Sequence, residues 1–176
     1  NCNCIDSYEI SLDMRSVFYN KKDMKFYVNC YDKGIYRITD ITTGKFELIE
    51  KDLYENEQLS MAMSDNGKLL YCFDKGELKI YKFPKLKLYK TIKGIDYGSG
   101  ITSGETSIAV SKNNFFTCNS SEKMIFVYDL KGNKIKTFYY SSGDYSFSLS
   151  YANGLLFIAN DGNYDIGTWF GYKIDD

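Results

Sequence analysis

The sequence predicts an all-β fold, a β-propeller built from four-stranded antiparallel blades. Short apolar runs of strand length alternate with turn residues, this pattern recurs along the chain, and its recurrence has a nearly fixed period. Residues 60–94 show the pattern most clearly, as four short strands joined by three turns. A four-stranded meander of this length cannot bury both of its faces alone, so it must pack against other sheets.

The first two strands of this central unit are marked by alternation and by an apolar run. Residues 61–64, Met-Ala-Met-Ser, have the period of two that is typical of a strand. Asp65-Asn66-Gly67 predicts a turn, because Asn and Gly tolerate positive φ and Asp can bond its own backbone. Residues 69–73 are apolar throughout, which indicates a strand buried on both faces.

The last two strands of the unit are progressively more polar. Asp74-Lys75-Gly76 predicts the second turn, and residues 78–82 alternate between apolar side chains and lysine. Pro84, the only proline, falls in the next connection, where its missing N–H costs nothing. Residues 88–92 form the most polar strand, as expected of an outer edge.

Three other segments repeat this pattern. The first carries predicted strands at residues 16–19, 24–30, 35–38 and 46–49. Residues 60–94 belong to the second repeat in chain order. The third repeat has predicted strands at 107–110, 115–118, 124–128 and 134–138. The fourth repeat has them at 148–151, 155–159 and 168–174 and lacks a fourth strand. The repeat units are therefore approximately 16–58, 59–105, 106–146 and 147–176, within one propeller domain or propeller fragment spanning 1–176.

The spacing of the repeats favours a propeller over the main alternative. Serines that begin the four units, Ser16, Ser60, Ser107 and Ser148, are 44, 47 and 41 residues apart. A period near 40–45 residues with four strands per unit is typical of propeller blades. A large antiparallel sandwich also has many short strands, but it does not predict aligned turns at a fixed period.

Two motifs carry a resemblance to a known family. Val127-Tyr128-Asp129 stands where a WD-repeat blade has its Trp-Asp pair, and Asp32 and Asp74 stand where such blades have the Asp of a tight turn. On these residues the chain, from about residue 16 to 176, resembles the WD-repeat and related YVTN-type propellers. It has no Trp-Asp dipeptide and no histidine, so the family's Asp–His–Ser–Trp hydrogen-bond network cannot form. The resemblance implies rigid display of loops and edges that bind other proteins.

The number of blades in the complete ring stays open. Residues 7–12 alternate and predict a lone strand, and the resemblance implies that such a terminal strand closes a ring by completing the last blade. Four complete blades would then form a small closed ring. The other interpretation is part of a propeller of six to eight blades, which the start at Asn1 without methionine favours. The oligomeric state is not determined.

Charge and hydropathy argue against two classes of partner. The net charge is −1, from 22 basic and 23 acidic residues, which disfavours a role on nucleic acid or on a membrane surface. A basic cluster of Lys85, Lys87, Lys90 and Lys93 fits protection of an edge strand against edge-to-edge pairing. No apolar run of 18 residues exists, so no transmembrane helix is expected.

The five cysteines are informative about the cellular compartment of the protein and about whether it can bind a metal ion. Cys30, Cys72 and Cys118 occupy equivalent places late in the second strands, where a small apolar residue fits, which predicts buried free thiols. Cys2 and Cys4 are too close for an easy mutual bridge, and a metal or a disulfide partner outside this chain could engage them. Without histidine no mixed zinc site can form. We expect no cofactor and no metal, and a cytoplasmic location, with secretion or the cell surface as the alternative.

The connections between repeat units are the predicted binding surface, because loops carry binding in propellers. The connections at 51–58, 94–105 and 139–146 occupy equivalent positions, and a ring would place them on one face. Tyrosine gives broad contact area at low entropy cost, and Ser and Gly give adaptable hydrogen bonds. The predicted partner-binding residues are Asp96, Tyr97, Tyr139, Tyr140, Asp144 and Tyr145.

Catalytic and ion-binding signatures are weak. The glycines at 98, 100 and 104 lack the Gly-Lys-Ser/Thr of a phosphate loop, and residues 161–165 lack the acidic twelfth ligand of a calcium loop. With no imidazole base, only carboxylate pairs such as Asp96 and Asp144 remain, as in propeller glycosidases. The sequence therefore predicts a non-catalytic protein-interaction scaffold within a larger assembly. The alternatives are a secreted or surface propeller that binds carbohydrate or a small ligand, with or without hydrolase activity, and a propeller whose catalytic module lies elsewhere in a longer chain.

Overall fold

The computed structural model describes residues 6–97, 107–140, 146–160 and 167–174, and these residues form strands, turns and loops only. Across those ranges no helix has the length and apolar character needed to cross a bilayer. The chain divides into two compact units, Asn1–Glu57 and Gln58–Asp176.

The first unit contains one antiparallel sheet, the first sheet. Its strands are β1 (Met14–Asn20), β2 (Lys25–Cys30), β3 (Gly34–Asp40) and β4 (Lys45–Lys51), and they pair in sequence order. Side chains of β1 and β2 alternate between the two faces. Phe18 and Tyr27 stack with ring centroids 5.7 Å apart on one face, whereas Tyr19 and Phe26 contact each other at 5.0 Å on the other.

The second unit contains three antiparallel sheets, and each pairs its strands in sequence order. The second sheet has β5 (Ser60–Met63), β6 (Leu69–Asp74), β7 (Glu77–Lys82) and β8 (Lys87–Lys93). The third has β9 (Ile108–Val110), β10 (Asn114–Asn119), β11 (Met124–Asp129) and β12 (Lys134–Tyr139). The fourth has three strands, β13 (Ser146–Ala152), β14 (Leu155–Asn160) and β15 (Thr168–Lys173). Every strand predicted in the four repeats is present.

Two hairpins form at the turns that the sequence predicts. Lys75 and Gly76 have φ of 42° and 80°, and Asn153 and Gly154 have φ of 52° and 79°. Positive φ at both central residues of a two-residue loop is the type I′ geometry, whose twist matches that of the flanking strands. Glycine at the second position adopts this conformation without strain. These turns fix the register of β6 with β7 and of β13 with β14.

The sheets of the second unit pack face to face through their apolar side chains. The core between the second and third sheets contains Tyr71, Phe73, Leu78, Ile80, Ile108, Val110, Phe115, Phe126 and Tyr128. The core between the third and fourth contains Ala109, Phe116, Cys118, Ile125, Val127, Leu149, Leu156, Ile158 and Ile174, with Tyr140. The third sheet therefore buries both of its faces, which explains the long apolar runs of β10 and β11.

A side-chain hydrogen bond joins each pair of neighbouring sheets in this unit. The backbone N–H of Ile108 donates to Ser60 Oγ at 3.0 Å, and the backbone N–H of Leu149 donates to Ser107 Oγ at 2.7 Å. Ser60 and Ser107 are two of the four serines whose spacing defines the repeat. At Ser60 and Ser107 the repeat therefore reflects a contact in which the serine hydroxyl accepts a hydrogen bond from the first strand of the following sheet.

The predicted strand at residues 7–12 is absent. These residues form no ladder, and the backbone N–H of Leu12 bonds to the carbonyl of Ile10 at 2.8 Å, as in a tight turn. Ile10 and Leu12 pack on the apolar side chains of Val28, Cys30 and Ile38 in the first sheet. The alternation reflects this packing, and β15 remains an edge strand within the described part of the chain.

Cys30, Cys72 and Cys118 are buried free thiols, as predicted. Burial raises the pKa of Cys30 to about 11 and that of Cys118 to about 12, and it also raises the pKa of Cys72. Their predicted equivalence is wrong for Cys72 and Cys118. Cys118 faces the fourth sheet, whereas Cys72 lies between Tyr71 and Phe73, which face the third sheet, so Cys72 points to the opposite face.

Candidate functional site

An open cleft of about 470 Å³ lies in the second unit, beside the connection that follows β8. One wall is this connection, and the other is the hairpin between β10 and β11. The lining residues are Gly94, Ile95, Asp96, Tyr97, Asn119, Glu122, Met124 and Phe126. The cleft thus combines an apolar floor with two carboxylates.

The connection enters the cleft in a fixed position. Gly94 has φ of 74°, which glycine adopts readily, and it turns the chain away from β8. The backbone N–H of Ile95 then donates to the carbonyl of Gly76 at 3.1 Å, and the Ile95 side chain is buried in the core between the second and third sheets. Asp96 and Tyr97 follow directly.

Asp96 is the centre of a hydrogen-bond network with the third sheet. Its carboxylate accepts a bond from the hydroxyl of Tyr128 at 2.8 Å, and its backbone N–H donates to the same hydroxyl oxygen at 2.8 Å. The ammonium group of Lys134 contacts the same carboxylate oxygen at 2.8 Å. The hydroxyl of Thr117 donates to the backbone carbonyl of Asp96 at 2.7 Å. Side chains of β10, β11 and β12 therefore hold both the backbone and the side chain of Asp96.

Electrostatics favour the anionic form of Asp96. The Lys134 ammonium, and after it the Tyr128 hydroxyl, holds the pKa of Asp96 below its ordinary value, although partial burial opposes this. Burial raises the pKa of Tyr128 well above its ordinary value, and the Asp96 carboxylate adds to this effect. The phenol is therefore neutral at physiological pH and can act as a donor. Its ring stacks on Phe115 with centroids 4.9 Å apart.

The opposite wall is held by a closed pair of hydrogen bonds. The amide of Asn119, which is buried, donates to Glu122 Oε2 at 3.0 Å, and the backbone N–H of Glu122 donates to Asn119 Oδ1 at 3.1 Å. Tyr97, half-buried, meets Phe73 edge to face with centroids 6.4 Å apart. The polar groups at the rim are thus positioned before any partner arrives.

The structure describes four of the six predicted partner-binding residues, and these four lie in different environments. Asp96 and Tyr97 line the cleft, and Tyr139 is 75% exposed at the end of β12. Tyr140 is only 4% exposed and lies in the core between the third and fourth sheets, so its ring is not available to a partner. Successive side chains of an extended chain point to opposite sides, and here Tyr139 points outward whereas Tyr140 points into the core. Asp144 and Tyr145 lie outside the described residues.

Several groups of the cleft were not identified from the sequence. Tyr128 was recognised as the counterpart of the family's Trp-Asp position and Asp96 as a loop residue, but their hydrogen bond and the contacts of Thr117 and Lys134 with Asp96 were not predicted. A signal does exist for Thr117, because it is a polar side chain inside the apolar run of β10. A buried hydroxyl requires a partner, and the preceding loop is the nearest source of one. Asn119 and Glu122 carry no such signal.

Other predicted sites are not tested by the structure. The glycine-rich segment at 98–104, the loop at 161–165, and Cys2 and Cys4 all lie outside the described residues. Among the described residues, no group of three His, Cys, Asp or Glu side chains is placed to hold a metal ion.

Comparisons with known proteins identify the fold. No family model matches the sequence, and no curated protein is similar to it. The structure is similar to the crystal structure of the RRP9 WD40 repeats, with a TM-score of 0.56 and 12% identity over 94% of this chain and 52% of that one. It is also similar to a chain in the crystal structure of the mitotic checkpoint complex, with a TM-score of 0.56 and 12% identity over 93% of this chain and 48% of that one.

An enzyme is among the similar structures. Glutaminyl cyclase from Myxococcus xanthus matches with a TM-score of 0.59 and 9% identity, over 89% of this chain and 66% of that one. Likeness at this level of identity concerns the fold. The chain therefore has a WD40-like β-propeller fold, and it spans about half the length of the WD40 chain that it matches.

Proposed function

From a WD40-like propeller fold with a preformed cleft, we propose that this chain is a non-catalytic scaffold that binds other proteins within a larger assembly. The observation that carries the proposal is the cleft between Ile95–Tyr97 and the β10–β11 hairpin. The similarity to a chain of the mitotic checkpoint complex supports the same class of function, since that chain is itself part of a complex.

The cleft suits a segment of another protein that inserts an apolar side chain. Ile95, Met124 and Phe126 supply an apolar floor, and the exposed carboxylate of Glu122 supplies an acceptor at the rim. Asp96 is already fixed by three side chains, so the wall loses little conformational freedom when a partner binds. Such preorganisation raises affinity by lowering the entropic cost of association.

The chemistry of the cleft does not favour catalysis. A general acid needs a carboxyl whose pKa is raised toward the working pH, whereas Lys134 and Tyr128 lower the pKa of Asp96. The carboxylate thus acts as a fixed acceptor in the scaffold. Three unpaired buried cysteines support a reducing compartment such as the cytoplasm.

Affinity capture with matched variants tests the proposal. We expect the single substitutions Tyr97→Ala and Met124→Ala to weaken capture of the native partners by at least about tenfold, the effect of losing about 1.4 kcal/mol of binding free energy. Tyr89→Ala is the control, because Tyr89 is an exposed tyrosine on β8 that does not line the cleft. Each variant must keep the unfolding midpoint of the wild type to within its error, or be compared at a temperature where it is fully folded. Equal capture of every partner by the wild type and both cleft variants would refute the proposal.

A further inference from the structure

The first sheet exposes one apolar face, which we call the leading face. It presents Val17, Tyr19 and Phe26, which are 56%, 40% and 42% exposed. Tyr19 pairs with Phe26 across β1 and β2, and Val17 pairs with the buried Val28. Ile10 and Leu12 pack on Val28, Cys30 and Ile38. The three other side chains of this face remain exposed to solvent.

Most positions equivalent to the leading face are buried in the second unit. Each repeat serine is followed by a residue equivalent to Val17, and Met61, Ile108 and Leu149 at these positions are 6%, 1% and 7% exposed. The pairing of Tyr19 with Phe26 corresponds to that of Met63 with Leu70, Val110 with Phe115, and Tyr151 with Leu156. Leu70, Phe115 and Leu156 are all 0% exposed. The first sheet thus carries a docking face of the kind that the other sheets bury.

The fourth sheet exposes the complementary face, which we call the trailing face. Trp169 on this face is 61% exposed, and it pairs with Ala159. Its equivalent in the third sheet is Ile125, which pairs with Cys118 and is 0% exposed. Ser148 and Ser150 are also exposed on this face, and Phe157 is partly exposed. Within the residues that the structure describes, the trailing face is again a docking face on which no other sheet packs.

The second unit shows how these two kinds of face fit together. Twice, a face equivalent to the trailing face packs on one equivalent to the leading face, between the second and third sheets and between the third and fourth. Both contacts include a hydrogen bond from a backbone N–H to the repeat serine, from Ile108 to Ser60 and from Leu149 to Ser107. In the first sheet, Val17 is equivalent to the donors Ile108 and Leu149. In the fourth sheet, Ser148 is equivalent to the acceptors Ser60 and Ser107.

We propose that two copies of this chain associate head to tail, with the leading face of each copy packed on the trailing face of the other. Each junction repeats the internal sheet-to-sheet contact, with Val17 and Trp169 buried and the N–H of Val17 donating to Ser148 Oγ of the second copy. A second copy is the occupant because this chain carries one face of each kind. Two copies also supply about the length of one matched WD40 chain, of which a single copy spans 52%. Because Val17 of each copy then contacts the trailing face of the other, a pair with both junctions is self-complementary and has two-fold symmetry.

The oligomeric state of the 176-residue chain tests the proposal. Native mass spectrometry and light scattering are expected to give twice the chain mass of 20.3 kDa. Trp169 is the only tryptophan, so its emission is expected to shift to shorter wavelength as the concentration rises through the dissociation constant. Val17→Asp and Trp169→Asp are each expected to weaken dimerisation by about 100-fold or more, because each would bury an unpaired charge. Tyr89→Asp, on the exposed surface of β8, is the control and is expected to remain dimeric.

Mixing the two variants separates head-to-tail association from other geometries. Val17→Asp keeps an intact trailing face and Trp169→Asp keeps an intact leading face, so the mixture is expected to form a heterodimer through one wild-type junction. A monomeric wild type at concentrations up to the millimolar range would overturn the proposal. A dimer that only one of the two substitutions disrupts, or that neither disrupts, would also overturn it. Matching circular dichroism spectra of the variants and the wild type confirm that the comparison concerns folded chains.

Discussion

The substitution Tyr128→Phe isolates the hydrogen bonds that hold Asp96 over the third sheet. Phenylalanine keeps the ring and its stacking on Phe115, so the change removes only the hydroxyl. That hydroxyl donates to the Asp96 carboxylate and accepts from the Asp96 N–H, both at 2.8 Å. The Tyr128 side chain is buried, with 2% of its surface exposed, whereas the Asp96 carboxylate is partly exposed.

The expected cost is about 2 kcal/mol in the free energy of unfolding of the second unit. A bond to a charged acceptor contributes about 1.5–3 kcal/mol and a neutral one about 0.5–1.5 kcal/mol. We take the lower part of the combined range, because Lys134 remains bound to the Asp96 carboxylate and that carboxylate is partly exposed.

Urea unfolding followed by the emission of Trp169 measures this cost in the correct unit, since the only tryptophan lies on β15. With a slope of about 2 kcal/mol/M, the midpoint is expected to fall by about 1 M. Tyr89→Phe is the matched control, because the Tyr89 side chain is 58% exposed, and its midpoint should change by less than about 0.25 M. A midpoint for Tyr128→Phe within that same margin of the wild type would show that the network is not stabilising.

Two further predictions concern titrating groups. The folded pKa of Asp96 lies below its unfolded value, so its contribution to stability is complete above the ordinary carboxyl pKa of about 3.9 and is lost as the pH falls below it. Urea midpoints measured from pH 6 to pH 2 should therefore fall less steeply for Asp96→Asn than for the wild type, and parallel curves would contradict this. The second prediction concerns Cys30, Cys72 and Cys118, whose pKa values are raised by burial. In a Cys2→Ser/Cys4→Ser background at pH 8, a disulfide reagent should label fewer than one thiol per folded chain within minutes and three in urea, and rapid labelling of the folded chain would be the opposite result.

The strands were predictable because their signals are local. Alternation, apolar runs and turn residues such as Asn153-Gly154 act within a few residues, and the structure has each strand where they place it. The prediction of a strand at residues 7–12 was wrong for a related reason. Alternation reports that one side of an extended segment is buried, and Ile10 and Leu12 are buried by packing on a sheet face and not by pairing at a sheet edge.

The cleft was only half predictable, because it depends on contacts between distant parts of the chain. Asp96 and Tyr97 were identified from the composition of their loop, which is a local property. That the loop is fixed by Tyr128 and Lys134, more than 30 residues later, follows from how two sheets pack and not from any spacing. Tyr140 shows the limit of composition, because its loop is rich in exposed residue types while its own side chain alternates inward.

The sequential strand order within every sheet has a consequence for how the chain folds. Each sheet pairs only strands that follow one another, so pairing within a sheet closes short loops. Closing short loops costs little entropy, and topologies dominated by such contacts reach their transition state quickly. We therefore expect strands to pair within a sheet before neighbouring sheets join. The serine contacts Ser60–Ile108 and Ser107–Leu149 span 48 and 42 residues, and we expect these longer loops to close later than the hairpins within each sheet.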